Sequence, residues 1–244
     1  MLYKERLDKI LVSKGLAINS NKAKALIMAG KVIVNGKKID KSGTKYPLSV
    51  DIQVLVKGHQ WVSRGGIKLE HAIKVFDIDV NGCTCLDIGA STGGFTEVLI
   101  RYKAEKVYSM DVGKGQLDWK LVTNNKVVVL DNTNIRFVDL KKIDNDINII
   151  TCDLSFISIT KALLTVNNYK NTNLNLIALI KPQFELSKEK IGKKGIVTNV
   201  VFRNEAVLKV KNWLEKNNWI IEGFIESPIK GAKGNIEYLI HCTK

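Results

Sequence analysis

The sequence predicts an α/β protein in which a small basic domain precedes a doubly wound, mostly parallel sheet. From residue 83 onward, strand-like and helix-like segments alternate, which is the pattern of a sheet with helices on both faces. The first 60 residues hold only short helices and strands and carry more than half of the net charge. These observations favour an N-terminal domain at 1–60, a linker at 61–66 and a larger domain at 67–244.

In the N-terminal domain, apolar residues at i, i+3 and i+4 predict a helix over residues 4–15. A second helix, over 22–29, follows an Asn-Ser-Asn cap, and a glycine comes after each helix. Residues 31–38 are typical of a strand that enters an Asn-Gly turn, and 51–56 of a further strand. The result is a compact αβ unit.

In the larger domain, the pair Gly65-Gly66 is expected to break the chain before a helix over 67–76. The periodicity predicts further helices at 94–102, 159–167 and 202–217. Strands are predicted at 84–88, 107–111, 127–130, 147–152, 175–180, 219–225 and 236–242.

The composition argues against a membrane, secreted or metal-binding protein. Apolar runs such as Leu176–Ile180 are far shorter than the roughly 20 residues of a membrane span. The charged N-terminus lacks the apolar segment of a signal peptide, so we expect a cytoplasmic protein. The 4 cysteines form no Cys-x-x-Cys pair and cluster with none of the 3 histidines, so we expect reduced thiols and no metal site.

The charge is concentrated at the N-terminus. Residues 1–60 hold 12 Lys and Arg against 4 Asp and Glu, a net of +8 within a chain of +14. This asymmetry indicates a module that binds a polyanion, although a generally lysine-rich proteome would also produce it.

Within this basic region, three short patterns resemble the alpha-L RNA-binding module over about residues 4–57. They are Arg6-Leu7-Asp8, Ser20-x-Lys22-Ala23 and Ile27-x-x-Gly30-x-Val32-x-Val34-Asn35-Gly36. The resemblance implies docking onto structured RNA, with basic side chains on phosphates. The expected RNA contacts are Arg6, Lys22, Lys24 and Lys31, with Arg64 in the linker.

The segment 85–96 is the most informative part of the chain. An apolar run ends in an acid, a glycine-bearing turn follows, and an amphipathic stretch begins at Phe95. Glycines there let backbone N–H groups approach a ligand closely. The spacing is not that of the dinucleotide fingerprint. It resembles the S-adenosylmethionine loop of Rossmann-like class I methyltransferases, which implies cofactor contacts at Asp87, Gly89, Ala90, Ser91, Gly93, Gly94 and Phe95.

Two later strand ends extend this predicted cofactor site. Asp111 lies 22 residues after Gly89, about where a mononucleotide-binding half places its ribose-binding carboxylate. Asp131 and Asn132 follow the next strand and could hydrogen-bond an adenine. A surface polar group at a strand end is the alternative at each of these positions.

Four charged residues stand at positions suited to catalysis. Lys68 opens a helix, Asp153 and Lys181 each follow a predicted strand, and Glu237 begins the last one. Open α/β sheets place ligands at the carboxyl ends of strands. An amine held there beside carboxylates could take a proton from a sugar hydroxyl. Each residue alone is more often a surface charge, but the set beside a cofactor loop favours a catalytic site.

Long motifs make the whole chain resemble the TlyA family. They are Ser63-Arg64-Gly65-Gly66-x-Lys68-Leu69, residues 87–96, Asp111-Val112-Gly113-x-Gly115-Gln116-Leu117, residues 153–158, residues 181–185 and Gly234-Asn235-x-Glu237. The family comprises ribosomal RNA 2′-O-methyltransferases with an FtsJ-type domain, historically called haemolysins. The resemblance implies a Lys-Asp-Lys-Glu tetrad at Lys68, Asp153, Lys181 and Glu237, with Asp153 also near the cofactor.

The resemblance implies S-adenosylmethionine as cofactor and ribosomal RNA or a ribosomal subunit as partner, with a cytidine ribose as acceptor. The short segments outside the first helix and last strand resemble a shorter subtype, which favours large-subunit RNA. Two alternatives stay open. A membrane-active haemolysin would need a membrane-inserting segment, and a catalytically silent assembly factor would not need the intact tetrad.

Overall fold

The computed structural model describes residues 4–17, 19–54, 61–140, 143, 146–169 and 173–244. The chain divides into two units, Met1–Gly58 and His59–Lys244. The predicted domain boundary at residue 60 and the end of the strand predicted at 51–56 lie outside the described residues.

The first unit combines two helices with two small antiparallel sheets. Strands β2, β3 and β5 form one sheet in the order β3-β2-β5, and β1 pairs with β4. Its core contains apolar side chains from α1, α2 and β2. The elements are β1 Lys4–Arg6, α1 Leu7–Ser13, α2 Ser20–Met28, β2 Val32–Val34, β3 Lys37–Ile39, β4 Lys45–Pro47 and β5 Ile52–Val54.

The capping and turn chemistry predicted for this unit is confirmed, but the start of the first helix is not. Asn19 caps α2 by accepting a hydrogen bond from the Lys22 N–H at 2.9 Å. The Asn35-Gly36 turn joins β2 to β3 with two positive φ angles. The helix predicted from residue 4 begins at Leu7, because Lys4–Arg6 pairs as a strand with β4.

The second unit is built on a seven-stranded sheet in the order β11-β12-β10-β9-β6-β7-β8. The five strands from β8 to β10 run parallel, and β12 is antiparallel to both of its neighbours. The predicted doubly wound, mostly parallel sheet is therefore confirmed. The strands are β6 Thr84–Ile88, β7 Lys106–Met110, β8 Val127–Leu130, β9 Ile147–Cys152, β10 Asn175–Ile180, β11 Ile220–Glu226 and β12 Tyr238–Thr243.

Helices cover both faces of this sheet. One core cluster joins sheet residues to α3 and α4, and another joins them to α6 and α8. The helix predicted at 67–76 begins two residues earlier, since Gly65 and Gly66 lie in its first turn and do not break the chain. The helices are α3 Gly65–Val75, α4 Gly94–Arg101, α5 Trp119–Val122, α6 Ile159–Asn167, α7 Pro182–Glu185 and α8 Val200–Lys216.

Strand β6 occupies the position that creates a ligand crevice. The chain leaves β6 for β7 on one side and later returns to β9 on the other side. At such a reversal of strand order, the loops after the two strands separate and leave an opening at their carboxyl ends. The functional site is therefore expected in the loops after β6, β7, β9 and β10.

Candidate active site

The loop between β6 and α4 has a backbone that requires glycine at its sharpest points. The φ angles are +85° at Gly89, +48° at Ser91 and +93° at Gly93. A Cβ atom on Gly89 would lie 2.6 Å from the main-chain oxygen of Asp153. A Cβ on Gly93 would overlap two leucine side chains. These contacts leave a bare backbone facing the crevice, which suits close approach of a ligand.

Asp111 connects this loop to the end of β7. Its Oδ2 accepts the Ser91 N–H at 2.8 Å, and its Oδ1 accepts the Gly113 N–H at 2.8 Å. Each carboxylate oxygen retains a further lone pair that can accept a hydroxyl. The position predicted for ribose binding is thus both anchored and directed at the crevice, which Asp111 lines.

Asp87 lies beneath the loop and not at its surface. Its carboxylate is fully buried and accepts hydrogen bonds from the hydroxyls of Thr96 at 2.7 Å and Thr151 at 2.9 Å. Burial raises the pKa of Asp87 to about 6, although the two hydroxyls oppose this shift. This geometry does not support the direct cofactor contact that the sequence predicts. It assigns Asp87 to joining β6, α4 and β9 under the glycine turn.

A cleft of about 1090 Å³ opens beside the glycine loop. Four of the predicted cofactor residues line it, namely Gly89, Ser91, Asp111 and Asp153. Ala90, Gly94 and Phe95 line an adjoining pocket of about 440 Å³, which also includes Gly89, Ser91 and Asp153. The Phe95 ring itself belongs to the core between α3 and α4, so only its backbone is available to a ligand.

The two residues that the sequence predicts to contact an adenine, Asp131 and Asn132, do not lie in the cleft wall. Asp131 accepts the Gly115 N–H at 2.7 Å, and Asn132 is exposed with a φ of +50°. Neither residue lines the cleft, whereas Asn134 does. The loop after β8 therefore presents Asn134, and not the two predicted residues, to the cleft.

Asp153 and Lys181 come together at the carboxyl ends of β9 and β10. The Lys181 Nζ lies 2.6 Å from Asp153 Oδ1 and donates to the Ser155 hydroxyl at 3.1 Å. Only 10% of the Lys181 side chain and 19% of the Asp153 side chain are exposed. Both residues line the pocket that contains the glycine loop. An amine is therefore fixed beside the crevice, with partners that orient it.

Lys68 and Glu237 form a second, deeper pair. The Lys68 Nζ lies 2.6 Å from Glu237 Oε2, and the two side chains are 9% and 2% exposed. The Gln183 amide donates to the other Glu237 oxygen at 3.5 Å. Neither Lys68 nor Glu237 lines the two cavities described above. The predicted tetrad thus consists of a pair facing the crevice and a buried pair.

An aromatic pair that the sequence motifs contain but did not assign lies in the cleft wall. Phe156 is 91% exposed as a residue, its φ is +67°, and its ring centroid lies 5.3 Å from that of Phe184. A buried position is usual for phenylalanine. Phe156 lies within the motif of residues 153–158, close after Asp153. This position was the signal in the sequence that could have assigned Phe156 to the site.

The predicted RNA contacts differ in how free their side chains are. Lys22, Lys24 and Lys31 are exposed on the first unit. Arg6, in contrast, donates from two nitrogens to the buried Asp8 carboxylate, at 3.0 and 2.8 Å. This guanidinium lowers the pKa of Asp8. In the second unit, the exposed Arg64 donates to the Lys230 main-chain oxygen at 2.6 Å.

Neither a metal cluster nor a membrane-spanning helix occurs in the part of the chain that the structure describes. No group of three or more His, Cys, Asp or Glu side chains there could hold a metal ion. No described helix is both long and apolar enough to cross a bilayer. The four cysteines are free thiols, and three of them are buried.

Comparison with known proteins gives matches to two families. The FtsJ-like methyltransferase family matches residues 61–244, and the S4 domain family matches residues 5–52. The first match covers the unit that contains the cleft. The second covers most of the small basic unit.

Curated relatives and a solved structure resemble the chain over nearly its full length. Hemolysin A of Brachyspira hyodysenteriae is 41% identical over 97% of this chain and 98% of that protein. The 16S/23S rRNA (cytidine-2′-O)-methyltransferase TlyA of Mycobacterium tuberculosis is 39% identical over 98% of this chain and 90% of that protein. A solved Streptococcus thermophilus structure with a provisional haemolysin name covers 100% of this chain and 90% of its own, with 35% identity and a TM-score of 0.77.

Proposed function

The chain belongs to the TlyA family, which joins an S4 domain to an FtsJ-like methyltransferase domain, and we propose that it methylates a ribose 2′-hydroxyl of ribosomal RNA. The acceptor is a cytidine, as in the name of the M. tuberculosis relative. The observation that carries the proposal is the Lys181–Asp153 pair at 2.6 Å, beside the glycine loop. An amine fixed at a cofactor crevice is what transfer to a hydroxyl needs.

The cleft fits S-adenosylmethionine in size and chemistry. Substitution of Gly89 would bring a Cβ against the Asp153 backbone, so the loop keeps a bare surface for the ligand. Asp111 would accept hydrogen bonds from the cofactor's ribose hydroxyls, and Asn134 would contact the adenine, since both line the cleft. The backbone of Gly89, Ala90, Ser91, Gly94 and Phe95, together with Asp153, would hold the methionine end, and Gly93 would keep the turn between them in shape. When bound, the cofactor supplies a methyl group already activated by its sulfonium.

Lys181 then acts on the acceptor hydroxyl. In its unprotonated form, the amine would take the proton of the 2′-hydroxyl, and it would keep that nucleophile at the crevice. Asp153 and the Ser155 hydroxyl fix the direction of that amine. Because the methyl is already labile, most of the rate enhancement comes from holding the hydroxyl in line.

The buried Lys68–Glu237 pair positions the groups around Lys181. Its members carry opposite charges in a site with almost no solvent, so neither can lose its partner without a large desolvation penalty. Glu237 also contacts Gln183, two residues after Lys181. The pair thereby supports the segment that presents the amine and completes the tetrad expected for the family.

The acceptor nucleotide meets the exposed aromatic ring in the cleft wall. Phe156, with Phe184 behind it, offers a flat face on which an unpaired base can stack. The S4 unit docks the ribosomal RNA through Lys22, Lys24 and Lys31, with Arg64 contributing from the second unit. These contacts are to phosphates, so they fix position and not sequence.

The test is a transfer assay on both ribosomal subunits. Calorimetry first measures S-adenosylmethionine binding to the purified chain, and tritium transfer from the labelled methyl group is then followed on small and large subunits separately. Nuclease digestion should release 2′-O-methylcytidine. Labelling confined to large subunits would support the preference that the sequence predicts, whereas the M. tuberculosis relative is named for both RNAs.

Two results would contradict the proposed function. Cofactor binding without transfer to either subunit would favour a silent assembly factor. Dye release from liposomes at submicromolar protein, with no methyl transfer, would favour the haemolysin alternative.

A further inference from the structure

Glu185 is a buried carboxylate that the mechanism above does not use. It ends α7, four residues after Lys181, and is 5% exposed. Its Oε1 accepts the Ile159 N–H at 2.7 Å, and its Oε2 accepts the Ser158 hydroxyl at 2.6 Å. Ile159 is the first residue of α6. Glu185 therefore caps a helix that begins in a different loop from its own.

The two loops that Glu185 joins carry the two members of the crevice-facing pair. The loop after β9 begins with Asp153 and leads into α6, and the loop after β10 begins with Lys181 and contains α7. They touch at Lys181–Asp153 and between the rings of Phe156 and Phe184. Glu185 and Ser158 line the same cleft as the two rings, and the bonds of Glu185 join the two loops a few residues further along each of them.

The bonds of Glu185 are of the kind that hold geometry firmly. Both are short and charge-assisted, and the carboxylate faces the positive end of the α6 dipole. Lys209 on α8 adds a counter-charge, with its Nζ 3.6 Å from Oε2 and hydrogen-bonded to the Glu185 main-chain oxygen. The carboxylate is thus satisfied on both sides, and three elements converge on it.

We propose that Glu185 is a positioning residue for methyl transfer, which sets the placement of Lys181 against Asp153 by joining the two loops through its bonds to Ser158 and Ile159. This proposal rests on the proposed function, since it gives Lys181 its role there. Misplacement of a reacting group by about 1 Å can cost on the order of 100-fold in rate. Loss of the two Glu185 hydrogen bonds should therefore reduce the rate of methyl transfer more than it reduces the affinities for S-adenosylmethionine and RNA.

The experiment compares Glu185→Ala with a control at the start of β10, the strand that leads to α7. Asn175→Ala removes a 2.9 Å contact with His241 at the opposite end of β10, away from both loops. Single-turnover methyl transfer is measured with saturating cofactor and ribosomal subunits, well below the melting temperatures of both variants. Affinities for S-adenosylmethionine and RNA are measured separately.

For Glu185→Ala we expect transfer about 10- to 100-fold slower, with both affinities within about twofold of wild type. Asn175→Ala should lower the melting temperature but keep the wild-type transfer rate. Ser158→Ala removes one of the two bonds and should slow transfer by a smaller factor, so it replaces Glu185→Ala if that variant fails to fold.

Equal transfer rates in the Glu185 and Asn175 variants, compared at similar losses of melting temperature, would overturn the proposal. A loss of cofactor affinity parallel to the loss of rate would also overturn it, because Glu185 would then shape the cofactor cleft. Failure of the proposed function itself would look different, since the wild-type protein would then transfer no methyl group.

Discussion

At the scale of single residues, the loop glycine gives the sharpest test of the cofactor site. Gly89→Ala places a Cβ 2.6 Å from the Asp153 main-chain oxygen at a φ of +85°. We expect the affinity for S-adenosylmethionine to fall about tenfold or more, about 1.4 kcal/mol, because the loop must move to relieve the overlap. Calorimetry measures this change.

Gly82→Ala is the matched control for that substitution. Gly82 also has a positive φ, +73°, but a Cβ there would meet nothing within 4 Å. Its variant carries the same backbone strain without the overlap, so it should bind the cofactor like the wild type. Equal losses of cofactor affinity in the two variants would mean that backbone strain alone, and not the overlap with the Asp153 backbone, explains the result.

The catalytic lysine should be separable from cofactor binding. Lys181→Ala should lower turnover by about 10²–10⁴, the range for removal of a general base, and leave the calorimetric affinity for S-adenosylmethionine little changed. Lys181→Arg should not restore turnover, because a guanidinium stays protonated. Near-native turnover of the arginine variant would show that Lys181 does not accept the proton.

Individual residues were predictable to the extent that spacing alone fixes them. The positions of Gly89, Asp111, Asp153, Lys181 and Glu237 follow from strand ends, and that of Lys68 from the start of a helix, which periodicity locates well. The burial of Asp87 depends on Thr96 and Thr151, which come from other elements. No local pattern reports such contacts, so the sequence could not separate a supporting carboxylate from a binding one.

At the scale of elements, the Asp87 carboxylate joins a strand, a helix and a second strand. Its titration should make the stability of the fold depend on pH. Burial raises the pKa of Asp87 to about 6, above that of an exposed aspartate. The folded state then binds more protons than the unfolded state between about pH 4 and 6, so this group lowers stability as pH rises through that window. Above about pH 6 the penalty is constant.

Asp87→Asn removes this titration while keeping a side chain of the same shape. The stability of the variant relative to wild type should rise from pH 4 to pH 7 by up to about 3 kcal/mol, the equivalent of roughly two pKa units. Urea unfolding at both pH values measures the difference. A difference independent of pH would mean that burial does not raise the pKa of Asp87.

Which elements could be predicted depended on their length. All seven strands of the large sheet and its four longer helices follow from apolar periodicity. The four-residue helices α5 and α7 are too short for a period to be visible. Strand β1 was missed for another reason, since its pairing with β4 over a long separation outweighs the local helical pattern.

At the scale of the whole molecule, docking and chemistry should divide between the two units. Lys22→Ala with Lys24→Ala removes two exposed charges from the S4 unit. We expect weaker binding to a ribosomal RNA fragment and a log K against log salt slope that is flatter by about 0.7–0.9 for each phosphate that is no longer neutralised. Affinity for S-adenosylmethionine should not change.

A variant with the same charge change on the other unit controls for net charge. Lys103→Ala with Lys216→Ala alters two exposed lysines outside the site. Arg6 is left intact in both variants, because its removal would strand the buried Asp8 carboxylate. If both double variants had the same affinity and slope, the S4 unit would not be the RNA-docking surface.

The direction of β12 has a consequence for how the protein acquires activity. Because β12 is antiparallel to β10 and lies between β10 and β11, its first residue pairs with the end of β10 and brings Glu237 to the catalytic edge. Lys68 and Glu237 are separated by 169 positions in sequence. Contacts between residues so far apart in the sequence form late in folding, after the local β-α-β units have paired. A refolding chain should therefore recover its circular-dichroism signal and cofactor binding before it recovers methyl transfer.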